Sequence, residues 1–518
     1  MPFMGLKRST GIYKVQPISI NNSVANNGIN KIKIEEERKT EWGLIYLCAL
    51  FTFTASVQFT LFFTSLWPFL HILDKSATVN FYGTIIAMYS LSQIIASPIL
   101  GFWSTRIEKL KPPLMICNFL MFLGNFLYCL VELFPTDMIR YVLLVSRFVA
   151  GIGWAQVGLL KSFASSASIN KDRSRATAFI TGGIALGSVM GPAFQILFTW
   201  ISYPGYPICL NIFGYPNLCL NISMFTAPAL AASAVNIFLL FLQVFWFKES
   251  YVGIAKRKSD KENENLPKLP PFDWLAVAAC YAIRFTQFFI FTNIETIGTE
   301  FAMMMFVWSP KDVVFWESIA HSIRGLLALS TYICYIVFDL GKKVNDRLVC
   351  LFSLIGLFLF HVFTYSWPFI PENVQLFDNQ KFDRNASTAV GCDWRAMNWC
   401  LDLKQVNLWV YYFSIIIFIG LSFPNINVTM NTLFSRIIGP RMQGTQQGIL
   451  EMFGGMGRMT GPLIIGFLYR TYGPRTIWIM ESIEVGIMII FWILCYRRLV
   501  PLNIPPELDE DEKENGKI

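Results

Sequence analysis

The sequence predicts an all-α membrane protein with twelve transmembrane helices in two pseudo-symmetric halves of six. Its composition is far from that of a soluble domain: 54% of the 518 residues are hydrophobic, 15% are charged, and the mean hydropathy is +0.48. The apolar residues also fall into runs long enough to cross the ~30 Å hydrocarbon core of a bilayer. A third observation is a repeated pattern, Gly-xxx-Gly-Pro, at residues 187–192 and 457–462.

Twelve apolar runs are predicted to span the membrane, and we number them from the N-terminus. They are span 1 (44–70), span 2 (79–103), span 3 (113–134), span 4 (140–167), span 5 (176–200), span 6 (224–247), span 7 (273–302), span 8 (312–339), span 9 (348–367), span 10 (407–435), span 11 (445–469) and span 12 (476–496). Six spans lie on each side of the charged, proline-containing stretch 249–271.

This division predicts five segments. They are a polar N-terminal tail (1–43), an N-terminal six-helix half (44–248), a linker (249–271), a C-terminal six-helix half (272–498) and an acidic tail (499–518). An even number of spans places both tails on the same side of the membrane. Short basic turns such as 171–175 and 342–347 lie on that side, and such an excess of Lys and Arg is typical of the cytosol. We therefore expect both tails and the linker to be cytosolic, and the N-terminal tail to be disordered.

The repeated pattern lies in corresponding positions of the two halves. It consists of Gly187, Gly191 and Pro192 in span 5 and of Gly457, Gly461 and Pro462 in span 11. Glycines four residues apart allow a neighbouring helix to approach to backbone contact, and a proline inside a membrane helix bends its axis. Interrupted helices in duplicated halves are typical of secondary transporters, so we expect these residues to serve helix packing and gating.

The face opposite the tails is predicted to be lumenal and oxidising. Its loop 368–406 contains Asn385-Ala-Ser, a glycosylation acceptor, and the pair Cys392 and Cys400. A second pair, Cys209 and Cys219, lies between spans 5 and 6. We expect both pairs to form disulfides and Asn385 to be glycosylated. The chain has three His and no CxxC motif, so neither a metal site nor another cofactor is predicted.

Ionisable residues inside the spans are the candidate functional residues, because each is costly in a bilayer and by default faces a partner or a water-filled path. They are Arg147 in span 4, Arg284 and Glu295 in span 7, Glu317, His321 and Arg324 in span 8, and Glu451 and Arg458 in span 11. The members in span 8 and those in span 11 repeat at helical spacing, so each set shares one face of its helix.

Two interpretations of this set are open. In the first, the carboxylates and arginines pair between helices and lock the bundle. In the second, the four guanidinium groups line a path for anions, since they keep their charge at any accessible pH. The carboxylates and His321 would then be proton-responsive neighbours of that path. Four glutamines either face the same cavity or form hydrogen bonds between helices: Gln58, Gln93, Gln156 and Gln195.

Three motifs give the chain a family resemblance. Gly101-Phe-Trp-Ser-Thr105-Arg106 after span 2, Arg147-xxx-Gly151-x-Gly153 in span 4 and Gly187-xxx-Gly191-Pro192 in span 5 resemble signatures of the major facilitator superfamily. The resemblance implies a cavity between two halves, with Gly101 and Arg106 in a gating contact. One departure is Thr105, because the signature usually carries Asp there in a charge relay that latches the outward-facing state.

Further segments, including 65–70, 89–101 and 295–297, are similar to a lysosomal branch of this superfamily. That similarity implies a glycosylated protein of late endosomal and lysosomal membranes, linked to chloride conductance and to lysosomal homeostasis. The N-terminal tail has acidic residues at 35–37 but no dileucine after them, so the predicted localisation depends on the resemblance.

The leading functional prediction is permeation of chloride or another small anion through the endolysosomal membrane. The implied partners are a small anion or small-molecule substrate and the lipid bilayer, with no nucleic acid. One alternative is a proton-coupled exporter of an organic solute, with Glu317 or Glu451 as the coupling carboxylate. Another is a scaffold that does not transport, suggested by Thr105. No nucleophile–base pair, phosphate-binding glycine loop or metal spacing is recognisable, so an enzyme is not predicted.

Overall fold

The computed structural model of the protein describes most of the chain. The described residues are 13–14, 40–62, 65–74, 79–201, 203–212, 215–252, 256–257, 270–308, 310–377, 391–394 and 397–503. Most of the predicted disordered tail, most of the linker, the acceptor Asn385 and the acidic residues after 503 therefore lie outside the described residues. So do the side chains of Cys209 and Cys219.

The N-terminal half consists of the six predicted spans, which keep their numbers. Their helices are Trp42–Thr60 and Leu66–Leu73 (span 1), Val79–Ile107 (span 2), Lys111–Cys129 (span 3), Thr136–Trp154 and Gln156–Ala167 (span 4), Arg173–Ile196 (span 5) and Ala227–Phe245 (span 6). A short 3-10 helix, Val131–Leu133, follows span 3.

The C-terminal half repeats this arrangement. Its helices are Trp274–Phe306 (span 7), Pro310–Val337 (span 8), Asp346–Thr364 (span 9), Leu408–Ser414, the π-helix Ile415–Ile419 and Gly420–Ile438 (span 10), Gly444–Tyr472 (span 11) and Pro474–Cys495 (span 12). Two short elements connect spans: the helix Leu340–Lys343 before span 9 and the 3-10 helix Asn398–Asp402 before span 10.

The described strands all lie outside the spans. Tyr206–Ile212 pairs antiparallel with Tyr215–Ile222, Leu376–Phe377 pairs in parallel with Cys392–Asp393, and Tyr13–Lys14 pairs antiparallel with Lys256–Arg257. The first hairpin lies between spans 5 and 6, and its register places Cys209 opposite Cys219. In the loop before span 10, a disulfide joins Cys392 to Cys400.

Eleven helices in the described part of the chain are long and apolar enough to cross a membrane. Span 11 is also long enough, with 29 residues, but Glu451, Arg458 and its many glycines make it less apolar. It nevertheless lies within the bundle, because its glycines pack directly against spans 2 and 7. The predicted fold class, an all-α membrane protein with twelve helices in two halves of six, is confirmed.

The repeated glycines make equivalent helix contacts in the two halves. At Gly187 in span 5, an added Cβ would overlap the carbonyl oxygen of Phe53 in span 1. At Gly457 in span 11, an added Cβ would lie 2.6 Å from the carbonyl oxygen of Phe285 in span 7. Spans 7 and 11 follow spans 1 and 5 by six positions. The same helix pair is therefore packed backbone to backbone in each half, as small residues allow.

The second glycine of each pattern lies one helical turn further along and packs against the same neighbouring helix. Gly191 lies against the side chain of Thr60 in span 1, and Gly461 lies against that of Asn293 in span 7. The helix of span 11 continues through Pro462, which is half-buried. The helix of span 5 continues through position 192, where the proline side chain lies outside the described residues.

Span 1 begins and span 12 ends at the same end of the bundle, which we call the termini face. Thr40, before span 1, donates to Asp172 between spans 4 and 5 at 2.9 Å, and Arg498, after span 12, pairs with Asp273 before span 7 at 3.2 Å. The described part of the loop 368–406 lies at the other end, which we call the loop face.

Candidate functional site

Three ionisable side chains from three spans meet between the two halves. The Oε1 atom of Glu451 in span 11 accepts hydrogen bonds from Nζ of Lys161 in span 4 at 2.5 Å and from the guanidinium of Arg284 in span 7 at 2.9 Å. Each of the three side chains is only 3% exposed. Lys161 belongs to the N-terminal half and the other two to the C-terminal half, so we call these residues the inter-half cluster. Removing one partner from such a buried pair leaves an uncompensated charge, which is strongly unfavourable.

Neutral side chains fix the position of Arg284. Its Nη1 donates to Oδ1 of Asn427 at 2.6 Å and to Oε1 of Gln287 at 3.2 Å. Asn427 in turn donates to the hydroxyl of Tyr332 at 3.3 Å. Spans 7, 8 and 10 therefore all contribute to holding the guanidinium between the halves.

Arg458 lies two turns beyond Glu451 on the same face of span 11. Its Nη2 donates to Oε1 of Gln93 in span 2 at 2.7 Å, which makes a second polar contact between the halves. The guanidinium carbons of Arg458 and Arg284 lie 4.6 and 4.5 Å from the centre of the same ring, that of Phe288. Gln93 thus faces the interface between the halves.

The region around the inter-half cluster carries an excess of positive charge. Lys161, Arg284 and Arg458 supply three positive charges, and Glu451 supplies the one carboxylate that is bonded to any of them in the described part of the chain, so the sum is +2. Three buried donor atoms here make no hydrogen bond within the described residues: Nε of Arg284, Nε of Arg458 and Nε2 of Gln93. Buried donors are normally paired, so excess positive charge beside unpaired donors favours a negatively charged acceptor.

A second network lies nearer the loop face, on spans 7, 8 and 10. Nε2 of His321 lies 3.4 Å from Glu317, and its Nδ1 lies 2.6 Å from the guanidinium of Arg324. Arg324 also pairs with Glu295 at 3.8 Å, and Glu317 accepts a hydrogen bond from Tyr412 at 3.0 Å. The side chains of Glu295 and His321 are 41% and 44% exposed. Exposed polar groups inside membrane spans indicate a water-accessible cavity at this level.

The contacts of His321 define where its proton lies. A guanidinium only donates hydrogen bonds, so Nδ1 must accept from Arg324 and the proton must lie on Nε2, facing Glu317. A second proton would have to enter at Nδ1, directly against the positive charge of Arg324.

The candidate residues form two groups. Arg284 and Glu451 belong to the inter-half cluster, and Arg458 lies beside it. Nearer the loop face are Glu295, Glu317, His321 and Arg324. Carboxylates and arginines do pair between helices, as the first interpretation expected. The positive charge that is left over at the inter-half cluster is what the second interpretation requires.

Arg147 does not join either group. Its guanidinium lies 4.1 Å from the ring centre of Phe62 and 4.8 Å from that of Tyr128, both within the N-terminal half, and the residue is 5% exposed. Gln58 and Gln195 also bond within this half, Gln58 to Asn236 and Gln195 to the backbone of Met224. These contacts hold spans 1, 3, 4, 5 and 6 together and do not face the other half.

The halves make close contact at the termini face. Gly101 in span 2 approaches Gly444 in span 11 so closely that a Cβ at position 101 would overlap the carbonyl oxygen of Gly444. Thr105 accepts a hydrogen bond from the backbone N–H of Thr445 at 2.9 Å, and the two hydroxyls lie 3.0 Å apart. A neutral contact thus occupies the place of the charge relay, beside the exposed Arg106.

A second contact at the termini face joins the turns outside the membrane. Lys342 before span 9 pairs with Asp172 before span 5 at 3.1 Å. The inter-half contacts described here lie at the termini face or between it and Arg458, whereas the exposed Glu295 and His321 lie nearer the loop face. The protein is therefore closed at the termini face and open toward the loop face.

The C-terminal half contains a buried contact between a histidine and a glutamate that was not among the sequence predictions. Nδ1 of His361 in span 9 donates to the carbonyl of Leu357 at 2.8 Å, and its Nε2 lies 2.6 Å from Oε2 of Glu481 in span 12. Asn293 in span 7 donates to the other oxygen of Glu481 at 2.7 Å. Because Nδ1 is the donor to Leu357, the short contact between Nε2 and the Glu481 carboxyl group must itself contain a hydrogen, and both side chains are buried, at 0% and 3% exposed.

Lys161 was missed as well. Lys161, His361 and Glu481 are all ionisable residues inside predicted spans, which is the signal that selected the other candidates, so a complete survey of charged and titratable positions would have found them. Their partners would still have been unknown. Within the described residues, no three His, Cys, Asp or Glu side chains are grouped so as to hold a metal ion.

Two six-helix halves with ionisable side chains between them, closed at one face and open toward the other, define a membrane transport protein. The sequence profile of the Major Facilitator Superfamily matches residues 48–377 and 388–516. The chain belongs to this superfamily, whose members are transporters and not enzymes.

Individual relatives extend over most of the chain. It is 28% identical over 494 residues to Major facilitator superfamily domain-containing protein 8 of Xenopus laevis, covering 91% of this chain and 94% of that protein. It is 21% identical over 450 residues to the class H tetracycline resistance protein of Pasteurella multocida, covering 83% and 90%. The crystal structure of the human organic anion transporter MFSD10 (TETRAN) superposes with a TM-score of 0.59 at 14% identity, covering 87% of this chain and 98% of that chain. At that identity the structural likeness concerns the fold alone.

Proposed function

We propose that the protein carries small anions, with chloride as the leading candidate, across the membrane of late endosomes or lysosomes. The observation that supports this proposal is the charge of +2 at the inter-half cluster and Arg458, together with the three unpaired donors beside it. Fixed positive charge inside a membrane path lowers the barrier for an anion and repels cations.

The size of the attraction is compatible with transport. At a separation of ~5 Å and an effective dielectric constant of ~20, one excess positive charge attracts a monovalent anion by about 3 kcal/mol. Two such charges offset a large part of the cost of dehydrating the anion. Binding is then favourable enough for entry and weak enough for release, as conduction and transport both require.

The route from the loop face passes the second network. Arg324 lies between this opening and Arg458, and it is partly neutralised by Glu295. An anion entering from the loop face would meet Arg324 first, then Arg458, and would reach Lys161 and Arg284 at the inter-half cluster. The order of these residues forms a path of positive charge toward the closed termini face.

The proposed location follows from the resemblance of residues 65–70, 89–101 and 295–297 to a lysosomal branch of the superfamily. With the tails in the cytosol, the loop face would face the lumen, where a disulfide such as Cys392–Cys400 is chemically expected to persist. Co-staining of the expressed protein with a lysosomal membrane marker tests this location. Glycosidase treatment that lowers the apparent mass of the wild type, and not of an Asn385→Gln variant, tests the side of the loop.

The transport proposal is tested by patch-clamp recording from enlarged endolysosomes, with chloride replaced by gluconate. We expect a chloride-dependent current that is absent from cells without the protein and reduced in an Arg324→Ala variant. Unaltered chloride current in that variant would remove Arg324 from the path. Absence of current in correctly located protein would contradict chloride permeation.

A second candidate is a proton-coupled exporter of an organic solute. The arrangement Glu317–His321–Arg324 favours it, because a carboxylate and an imidazole, which are groups that exchange protons, lie in contact beside a guanidinium. Relatives named tetracycline resistance proteins are consistent with organic substrates. Solute flux that saturates and follows the pH gradient, in the absence of anion current, would support the exporter over the anion path.

A further inference from the structure

A cavity of about 670 Å³ lies at the termini face, where spans 3 and 6 leave the membrane. Three lysines surround it: Lys109, Lys111 and Lys248. Its wall is apolar and includes Pro112 and Met115 from span 3. The cavity lies on the outer surface of the N-terminal half, away from the inter-half cluster.

One of the lysines is part of the local structure. Nζ of Lys111 donates to the carbonyl oxygens of Val244 at 2.9 Å and Phe247 at 3.1 Å, which caps the end of span 6. An ammonium group has three donors, so one is left for a ligand. Lys109 and Lys248 are exposed, and they have no carboxylate partner among the described residues.

The carboxylate at the cavity is already engaged. Oε1 of Glu249 accepts from the backbone N–H groups of Leu110 at 2.9 Å and Lys111 at 2.5 Å, and Oε2 accepts from the hydroxyl of Tyr251 at 2.8 Å. Glu249 therefore orients the start of span 3 and leaves Lys109 and Lys248 unpaired. The residues that line the cavity include three lysines and one glutamate, a net charge of +2, and the exposed Glu108 beside Lys109 lies outside this lining.

The apolar wall continues along the outside of the bundle. Ile116, Phe119 and Leu123 are exposed at helical spacing on span 3, and Phe241 and Phe245 are exposed on span 6. In a bilayer, these side chains contact acyl chains. A basic cavity that opens onto this surface therefore has positive charge at the level of the headgroups and an apolar surface at the level of the hydrocarbon.

We propose that this cavity binds an anionic phospholipid, with the headgroup phosphate at Lys109, Lys111 and Lys248 and an acyl chain along spans 3 and 6. Free inorganic phosphate would satisfy the lysines but not the apolar wall, and a zwitterionic lipid would leave two positive charges without a counter-charge. The site is independent of the anion path, because none of its residues belongs to the inter-half cluster or to the network nearer the loop face.

Native mass spectrometry of the full-length protein tests the proposal, with phosphatidylserine and phosphatidylcholine added in equal amounts. The wild type should retain phosphatidylserine preferentially. Lys109→Gln and Lys248→Gln should each weaken that retention about fivefold, and the double variant should weaken it on the order of 30-fold. Lys111 is left unchanged because it caps span 6. The matched control is Lys343→Gln, an exposed lysine at the same face outside the cavity, which should retain phosphatidylserine as the wild type does.

Three results would overturn the proposal. Equal retention of phosphatidylcholine would mean that the cavity is only an apolar crevice. Displacement of phosphatidylserine by inorganic phosphate at the same concentration would mean that the site takes phosphate alone. Undiminished phosphatidylserine binding in a double variant with a wild-type melting temperature would mean that the lipid binds elsewhere or that another segment of the chain covers the cavity.

Discussion

Arg458 offers the sharpest test of the charge argument. It is one of the three cations around the inter-half cluster, and within the described residues its side chain donates one hydrogen bond, to Gln93 at 2.7 Å. Arg458→Gln keeps a hydrogen-bonding side chain of similar length and removes one positive charge. Arg458→Lys keeps the charge and loses the planar guanidinium.

The expected magnitude follows from the geometry. For an anion held ~5 Å from the guanidinium, at an effective dielectric constant of ~20, the lost attraction is about 3 kcal/mol. That energy corresponds to a rise in the half-saturating anion concentration on the order of 100-fold. Arg458→Lys should recover most of the loss, because the attraction depends on charge more than on shape.

The assay is radioactive chloride uptake into proteoliposomes over a range of external chloride concentrations. Arg140→Gln is the control, since Arg140 is partly exposed and pairs with Asp74 at 3.4 Å at the loop-face end of span 4. Arg140 contacts neither the inter-half cluster nor Arg458, so the chloride dependence of uptake should stay close to that of the wild type. A wild-type concentration dependence for Arg458→Gln would refute the reasoning, and so would a loss in Arg458→Lys equal to that in Arg458→Gln.

Three other variants test separate parts of the structure. Lys161→Met removes the member of the inter-half cluster that belongs to the N-terminal half, and it should weaken the closed state of the termini face by about 1–3 kcal/mol. The measurement is the rate at which maleimide labels a cysteine introduced at the termini face, which should rise. Unchanged labelling would contradict a role of Lys161 in closure. Gly457→Ala should lower the free energy of unfolding in detergent by about 1–3 kcal/mol, because the added Cβ would lie 2.6 Å from a carbonyl oxygen of span 7. Gly466→Ala on the same helix is the control. No atom lies within 4 Å of its added Cβ, so it should not lower the free energy of unfolding. His361→Leu should lower the free energy of unfolding in detergent by about 3–5 kcal/mol, and adding Glu481→Leu should restore much of the loss. A double variant no more stable than His361→Leu would contradict this prediction.

The positions of the spans and their division into two halves could be predicted from the sequence, because both depend on local hydropathy and length. The pairing partners could not. Lys161 and Glu451 are 290 residues apart, and their contact depends on how closely spans 4 and 11 approach each other in the folded protein. Helical spacing correctly placed Glu317 and His321 on one face, since that relation is local.

Arg147 shows the same limit of prediction from sequence, which is that the partners of a buried side chain stay unknown. Its position inside a span marked it as a candidate for the anion path, but hydropathy gives no information on which neighbour a buried side chain faces. In the folded protein, the rings of Phe62 and Tyr128 in its own half surround the guanidinium. Arg284 and Arg458 had the same sequence signal, but their side chains lie at the contact between the halves. Span 4 also reaches that contact, but through Lys161 and not through Arg147.

If anions bind at the inter-half cluster, their binding is coupled to the separation of the two halves at the termini face. Glu451 is itself an anion held by Lys161 and Arg284, so a transported anion must compete with it for the same cations. Lys161 is the member that belongs to the other half, so separation of the halves at the termini face takes it away from Glu451 and leaves its charge without a partner. A transported anion can supply that partner and stabilise the separated state by its differential affinity. Glu451→Gln should therefore remove the competitor and loosen the contact between the halves in a single step, which ties anion binding to opening of the termini face.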